Sequence, residues 1–238
     1  MVIRIIHYFD NLLTNYYRKK IIDGLNLINF EPKIIFDIGA HIGEVSEFFL
    51  KNFYNTKKIY CFEPQKEFFF LLKNKFKNNS KVICLNKACS DKISESIFNI
   101  GFHKRSSTLE KNNSNSFYYK MKSIFIFGKI KDFLLRKIIV KTITLDSFLK
   151  KKKLLIDLLK LDVEGSELKV LKGCQKNIKN IKVILIEILN HNAIKGYSKD
   201  KIFYFLKKNN FQLYQICRYP YYRSEDRVYI NKKFLIND

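Results

Sequence analysis

KIIFDIGAHIGEVSEFFLKNF, residues 33–53, decides the fold. It opens on an unbroken apolar run (33–38), passes through a turn holding Gly39 and Gly43, and resumes at 45–53 with apolar residues at helical spacing. A strand covered on both faces by crossover helices reads as a continuous apolar run, whereas a helix shows an apolar stripe. The unit is therefore a buried strand, a tight turn and a helix packed back on the strand. Outward from it the alternation repeats: KKIYCF (57–62), KEFFFLLKNKF (66–76) and KVICLN (81–86). After a polar stretch it resumes with KIIVKTITLDSFL (137–149), LLIDLLKLDV (154–163), a helix near 166–173, KVILIEIL (182–189) and a helix near 198–209. Two β segments, 211–217 and 226–236, close the chain. This pattern predicts an α/β fold with a doubly wound, mostly parallel sheet and no internal repeat.

Around this core, residues 1–32 read as an N-terminal helical cap, with Ile5, Ile6, Phe9, Leu12 and Leu13 on one face. The segment 101–136 reads as an insertion between core strands, where a substrate contact or a lid is expected. Ser106, Ser107 and Thr108 are its candidates for lining a site.

The chain has 238 residues, 47% of them hydrophobic and 15% aromatic, which excludes disordered, collagen-like and low-complexity classes. No apolar run reaches the roughly 18 residues of a membrane span, and the N-terminus lacks the ordered regions of a secretory signal, so a cytoplasmic location is expected. Cys61, Cys84, Cys89, Cys174 and Cys217 are an odd set without a C-x-x-C pair, as expected of reduced thiols and not of a disulfide scaffold or a zinc site. The net charge of +23 rests on 38 Lys against 7 Arg. The same rows are crowded with Asn, Ile, Phe and Tyr, the residues of A/T-rich codons, which accounts for most of the charge. Phosphate recognition leans on the arginine fork, so a nucleic-acid partner is not expected; a weak membrane-surface contact or a phosphorylated acceptor stays open.

In an open parallel sheet, ligands bind outside the carboxyl ends of the strands. Here the first such end is Asp37-Ile38-Gly39-Ala40-His41-Ile42-Gly43-Glu44. Its glycines let backbone and helix approach closely, and the N–H groups at the helix start can receive an anion. The spacing lacks the middle glycine that makes room for a pyrophosphate, which disfavours a dinucleotide. Glu63, in Cys61-Phe62-Glu63-Pro64 at the tip of the second strand, is placed to accept from both hydroxyls of a ribose. Asp37 adds a carboxylate suited to an ammonium. A ligand with an adenosine at one end and an amino acid at the other has the shape of S-adenosylmethionine.

IIFDIGAHIGEVS (34–46), CFEP (61–64), TITLDSFL (142–149), KLDVEGSELKVLKG (160–173) and LIEI (185–188) together resemble the FkbM family of class I S-adenosylmethionine-dependent methyltransferases. The resemblance covers about 34–190. It implies a Rossmann-like sheet of order 3-2-1-4-5-7-6 with strand 7 antiparallel, making 33–238 the methyltransferase domain. It also implies O-methylation of a hydroxyl on a sugar, glycan or related natural product. Asp37, Gly39, Gly43 and Glu63 carry over as cofactor contacts, with Ala40 and His41 completing the turn; the family often has Asn where this chain has His41.

Methyl transfer from a sulfonium is an in-line displacement, in which positioning does most of the work and a base or a metal ion assists a poorly nucleophilic hydroxyl. Asp162, Glu164 and Glu187, at the tips of strands four and five, are the catalytic candidates. Asp162 and Glu164 share one face if the strand continues that far. His191 reads as a locally bonded loop residue and Lys160 as a solvated or snorkelling lysine. No compact His/Asp cluster with ligand spacing is visible, so no metal is expected, although Asp162 and Glu187 could share a proton, hold an acceptor hydroxyl or ligate one divalent ion. One alternative is an RNA or nucleic-acid methyltransferase using the basic surface, although the Pro-Pro motif of many amino-group enzymes is replaced by Asp162-Val163-Glu164-Gly165. A non-enzymatic module binding a nucleotide-like ligand is another. The loop from Arg218 to Asp226, with Tyr219, Tyr221 and Tyr222, reads as a plain turn or a wall of the acceptor pocket.

Overall fold

The structure is a computed structural model that describes residues 15–102, 107–130, 132–150, 152, 154–218 and 224–235. The first apolar run forms β1 (Ile34–Ile38) and the stretch after the turn forms α2 (Glu44–Asn52), preceded by a helix α1 over 15–26. β2 (Lys58–Phe62), α3 (Lys66–Lys75) and β3 (Val82–Leu85) follow. Beyond the middle of the chain come α5 (Leu145–Leu149), β7 (Ile156–Leu161), α6 (Glu167–Lys172), β8 (Ile181–Leu189), α7 (Lys199–Lys208), β9 (Phe211–Arg218) and β10 (Ser224–Asn231). The seven-stranded sheet runs β3-β2-β1-β7-β8-β10-β9, the expected 3-2-1-4-5-7-6 when its strands are counted in chain order. β10 is antiparallel to both neighbours, while the other pairs are parallel. The last strand starts earlier than expected and ends at Asn231, where a 3-10 turn (Lys232–Phe234) takes over.

Alternation along the strands sends residues to two buried layers. Phe36, Ile38, Phe62, Leu159 and Ile186 pack on one face with Leu145 of α5, Val170 of α6 and Leu206 of α7. Ile35, Ile59, Leu158, Val183 and Val228 pack on the other with Ile21 and Leu25 of α1, Phe49 of α2 and Leu72 of α3. Each such side chain contributes about 1.5 to 3 kcal/mol by leaving water. Within the expected cap, α1 is tied to the sheet edge by Tyr214 Oη donating to the Gly24 carbonyl. Ile5, Ile6, Phe9, Leu12 and Leu13 lie outside the described residues.

The region 88–143 is organised differently from the expectation. β4 (Ala88–Cys89), β5 (Ser94–Gly101) and β6 (Leu134–Ile143) form a second sheet of order β4-β6-β5, so 137–143 extends this sheet and not the main one. Between β5 and β6 stands α4 (Phe117–Phe127), capped by Ser116 Oγ accepting from Tyr119 N and ended by Gly128 in the left-handed region. The insertion is thus a helix and a loop carried between two antiparallel strands, the first of which begins before residue 101. Tyr119 Oη donates to Asp132, which pins α4 to the start of β6.

Candidate functional site

The carboxyl ends of β1, β2, β7 and β8 meet at a cavity of about 200 Å3. Ile38, Gly39, Phe62, Pro64, Asp162, Val163, Glu164 and Glu187 line it from the ends of the main sheet, Ala88, Cys89 and Phe98 close it from the second sheet, and Ser107 and Leu109 from the segment after β5. Of the residues nominated from the insertion, Ser107 lines this cavity and Thr108 does not; Ser106 lies outside the described residues, as do Tyr219, Tyr221 and Tyr222. Asp162 and Glu187 also border a smaller cavity against α1 and α2, with Arg18, Val45 and Phe49.

The glycine turn has its conformation for reasons of packing. Gly39 sits at φ +83, and a Cβ there would stand 1.9 Å from the Asp162 carbonyl oxygen. Gly43, at φ +81, faces the Phe76 ring at 2.4 Å in the same sense. Both residues sit in the left-handed region, which a side chain rarely occupies. Between them His41 is also left-handed (φ 50), its ring against Phe68 and its N–H donating to Glu63 at 2.9 Å.

Glu63 is 4% exposed and receives a second backbone N–H, from Gln65 at 2.8 Å. Burial pushes its carboxyl up to about 7, against the pull of those two donors. Each oxygen accepts one N–H and keeps capacity for another donor. Asp37 is placed otherwise than the ammonium reading required. It is fully buried, ion-paired with Lys160 at 3.1 Å, and accepts from Ser46 Oγ at 2.6 Å. Of the turn residues Asp37, Gly39, Ala40, His41 and Gly43, only Gly39 borders the main cavity.

Lys160 is the larger correction. It is 5% exposed, where a solvated or snorkelling side chain was expected; its ammonium bonds the Gly39 carbonyl at 3.1 Å and stands 3.4 Å from Asp162. Burial alone would lower its pKa, but Asp37 and Asp162 outweigh it and the net direction is upward. One cation thereby links the glycine turn, Asp37 and the tip of β7.

The three catalytic candidates converge. One carboxylate oxygen each from Asp162, Glu164 and Glu187 lies within 4.8 Å of the others, a set able to hold a divalent cation through hard oxygen ligands. Spacing along the chain does not show this three-carboxylate cluster. The route also differs: β7 ends at Leu161, so strand alternation is not what aligns Asp162 with Glu164. A loop does it, with Glu164 at φ 53 and Gly165 at φ +100. Glu167, which the sequence reading missed, shapes that loop. Its fully buried carboxylate accepts from Val163 N at 3.2 Å and Gly165 N at 3.0 Å, and burial pushes it up to about 7. Its position in Glu164-Gly165-Ser166-Glu167 was the available signal, since an acid in a first helical turn can reach back to loop N–H groups. Burial raises the Glu187 carboxyl, and Asp162, Glu164 and Asp226 add to the rise, while a hydrogen bond with Ser224 opposes it. His191 is locally bonded, Nδ1 accepting from Ala193 N at 3.3 Å and the ring stacked on Tyr118 at 4.2 Å. The insertion is anchored by Glu110, which accepts from Ser166 Oγ at 2.9 Å and pairs with Lys169 at 2.7 Å.

Among solved structures, the chain is similar to the methyltransferase FkbM from Methylobacillus flagellatus KT, with TM-score 0.54 and 15% identity over 84% of this chain and 43% of that one. It therefore spans less than half the length of that protein. A second similar structure, described as an rRNA methylase of Clostridium thermocellum, has TM-score 0.50 and 10% identity over 89% and 93% of the two chains. Both likenesses speak to the fold. No curated protein sequence matches the chain. The Methyltransferase FkbM domain model matches residues 37–213, from the Asp37 of the glycine turn into β9, and the chain belongs to that family of methyltransferases.

Proposed function

We propose that the chain uses S-adenosylmethionine to methylate a hydroxyl of a sugar, glycan or related natural product, with Asp162, Glu164 and Glu187 at the reacting oxygen. The observation that carries this reading is the convergence of those three carboxylates on the cavity that begins at Gly39. The donor set fits such a cofactor. Phe62, Phe98 and Leu109 offer apolar walls to an adenine, and the acidic cluster is complementary to a sulfonium. Glu63, on the strand tip between the lining residues Phe62 and Pro64, keeps lone pairs for ribose hydroxyls.

S-adenosylmethionine supplies a methyl group already activated for displacement. The protein's share is then to orient an acceptor hydroxyl and receive its proton. Glu187, whose carboxyl is raised by burial and by the neighbouring carboxylates, is the group positioned to accept that proton. Asp162, held by Lys160 at 3.4 Å, orients the acceptor by accepting from a neighbouring hydroxyl, the reacting hydroxyl's own hydrogen being directed at Glu187. In the metal-assisted version the same three carboxylates would hold a divalent cation and lower the hydroxyl pKa instead.

Calorimetry with S-adenosylmethionine, followed by transfer of a labelled methyl group to a panel of sugars, glycans and ribosomal RNA, tests the proposal. Binding with label on a hydroxyl compound supports it. Label on RNA alone refutes the acceptor class, and absence of cofactor binding refutes the whole reading.

A further inference from the structure

α4 presents an apolar face to solvent. Phe117, Met121, Ile124 and Phe125 recur at helical spacing and are 77%, 49%, 43% and 91% exposed, while Tyr119 and Ser123 on the other side are buried. Side chains three, four, seven and eight apart share a face, so these four form a continuous stripe. Ile130, just past the helix, is 62% exposed and lengthens it. In a folded chain such a patch marks a surface for something that has yet to cover it.

Charge identifies the cover. From 111 to 131 the sequence carries Lys111, Lys120, Lys122, Lys129 and Lys131 and no Asp or Glu, within a chain of net charge +23. Lys111, Lys120 and Lys129 are exposed, and Lys122 lies over the Phe133 ring. Glu110 and Asp132, which flank this stretch, are engaged with Lys169 and Tyr119. An aromatic-rich apolar stripe whose own charged residues are all lysines is the pattern of a helix that lies in the headgroup region of an anionic bilayer. Its rings enter the acyl boundary while its lysines meet lipid phosphates. A second copy of the chain would bring the same lysines together and repel.

We infer that α4 is a docking surface for an anionic phospholipid membrane. The helix sits beside the site: Tyr118 stacks on His191 in the loop after β8, and Ser107 and Leu109, which line the main cavity, belong to the segment leading into α4. Docking would set the mouth of the cavity next to the bilayer, where a lipid-carried acceptor could enter. This last step rests on the proposed methyl-transfer reading; docking itself does not.

The test is co-sedimentation of the whole chain with vesicles of phosphatidylcholine alone and of equal parts phosphatidylcholine and phosphatidylglycerol. The wild type is expected to bind the anionic vesicles. The triple variant Phe117→Ser/Met121→Ser/Phe125→Ser keeps every charge and is expected to lose about tenfold or more in partitioning. Lys120→Glu/Lys129→Glu should weaken it as well. Thermal unfolding and S-adenosylmethionine calorimetry on the same variants separate loss of docking from loss of fold or cofactor site. Equal binding of the triple variant and the wild type, or no wild-type binding to anionic vesicles, overturns the inference. So does a wild-type dimer that the triple variant dissolves without lipid, or an RNA affinity that depends on the stripe.

Discussion

Asp37 and Lys160 are register partners on β1 and β7, and their buried side chains form an ion pair of 3.1 Å at the point where the sheet reverses its order of winding. The pair joins the two strand tips between which the ligand is expected, and through the Gly39 carbonyl it also fixes the glycine turn.

Removing one partner strands the other charge without water. Lys160→Met is expected to destabilise the fold by about 3 to 5 kcal/mol, the range for breaking a buried pair. The double variant Asp37→Asn/Lys160→Met should recover most of that loss, because the remaining amide is neutral and can still accept from Ser46. Urea unfolding of the parent, both single variants and the double variant decides it; additive losses would show that the ion pair is not the source.

Gly39→Ala is expected to damage folding first and ligand binding second, since its Cβ would stand 1.9 Å from the Asp162 carbonyl at a left-handed φ. From the sequence Gly39 reads as a cofactor contact in a turn that lets backbone and helix approach closely. The structure shows that the space a side chain would take is occupied by the neighbouring strand tip. A soluble Gly39→Ala protein of parental melting temperature that has lost only cofactor affinity would restore the earlier view.

That difference shows which information the sequence holds. The main sheet was legible because unbroken apolar runs and helical stripes are local signals, and the order of crossovers then follows from handedness and the family motifs. The second sheet was not. β5, SESIFNIG, alternates polar and apolar residues, and its partner β6 lies more than thirty residues further along the chain. Lys160 misled for a related reason, since a lysine in an apolar strand reads as solvated or snorkelling until its partner on another strand is known. Asp162, Glu164 and Glu187 could be nominated from their strand tips, but their convergence depends on a left-handed Glu164 that Glu167 helps to hold.

Stability should fall as pH rises through the carboxyl range, because Glu63 and Glu167 are both pushed up to about 7 by burial. A carboxyl whose folded pKa is raised favours the protonated native state. Its contribution is complete below the unfolded pKa, about 4.5, and is lost as pH climbs to about 7, on the order of 2 to 3 kcal/mol per group. Glu167→Gln should flatten that part of the profile; an unchanged slope between about pH 5 and 8 would mean that Glu167 titrates normally.

Glu63 makes a second pH signature. Its ionised form is the better acceptor for ribose hydroxyls, so S-adenosylmethionine affinity is expected to rise from about pH 6 to 8. Glu63→Ala should lower affinity by about 1.5 to 3 kcal/mol and abolish the rise. Calorimetry at several pH values reads both effects, and a variant that binds as tightly as the parent removes Glu63 from the cofactor site.

The chemistry itself turns on the acidic cluster. If Glu187 receives the acceptor's proton and Asp162 orients the acceptor through a neighbouring hydroxyl, then Glu187→Gln and Asp162→Asn should each lower kcat by about 10² to 10⁴ with cofactor affinity nearly unchanged. The raised Glu187 carboxyl should then appear as an acidic limb in kcat, because the base must be ionised to act; the limb should shift downward in Asp162→Asn, which removes one of the neighbouring charges that hold the pKa up. Chelators should leave this version untouched. If the three carboxylates hold a divalent ion, chelation should mimic the substitutions, added Mg²⁺ or Mn²⁺ should restore the parent enzyme, and the same ions should raise its melting temperature without substrate by mass action. The two versions therefore separate on a thermal shift that needs no acceptor. Full activity of both Asp162→Asn and Glu187→Gln on the true acceptor would exclude both, leaving orientation by the insertion as the catalytic device.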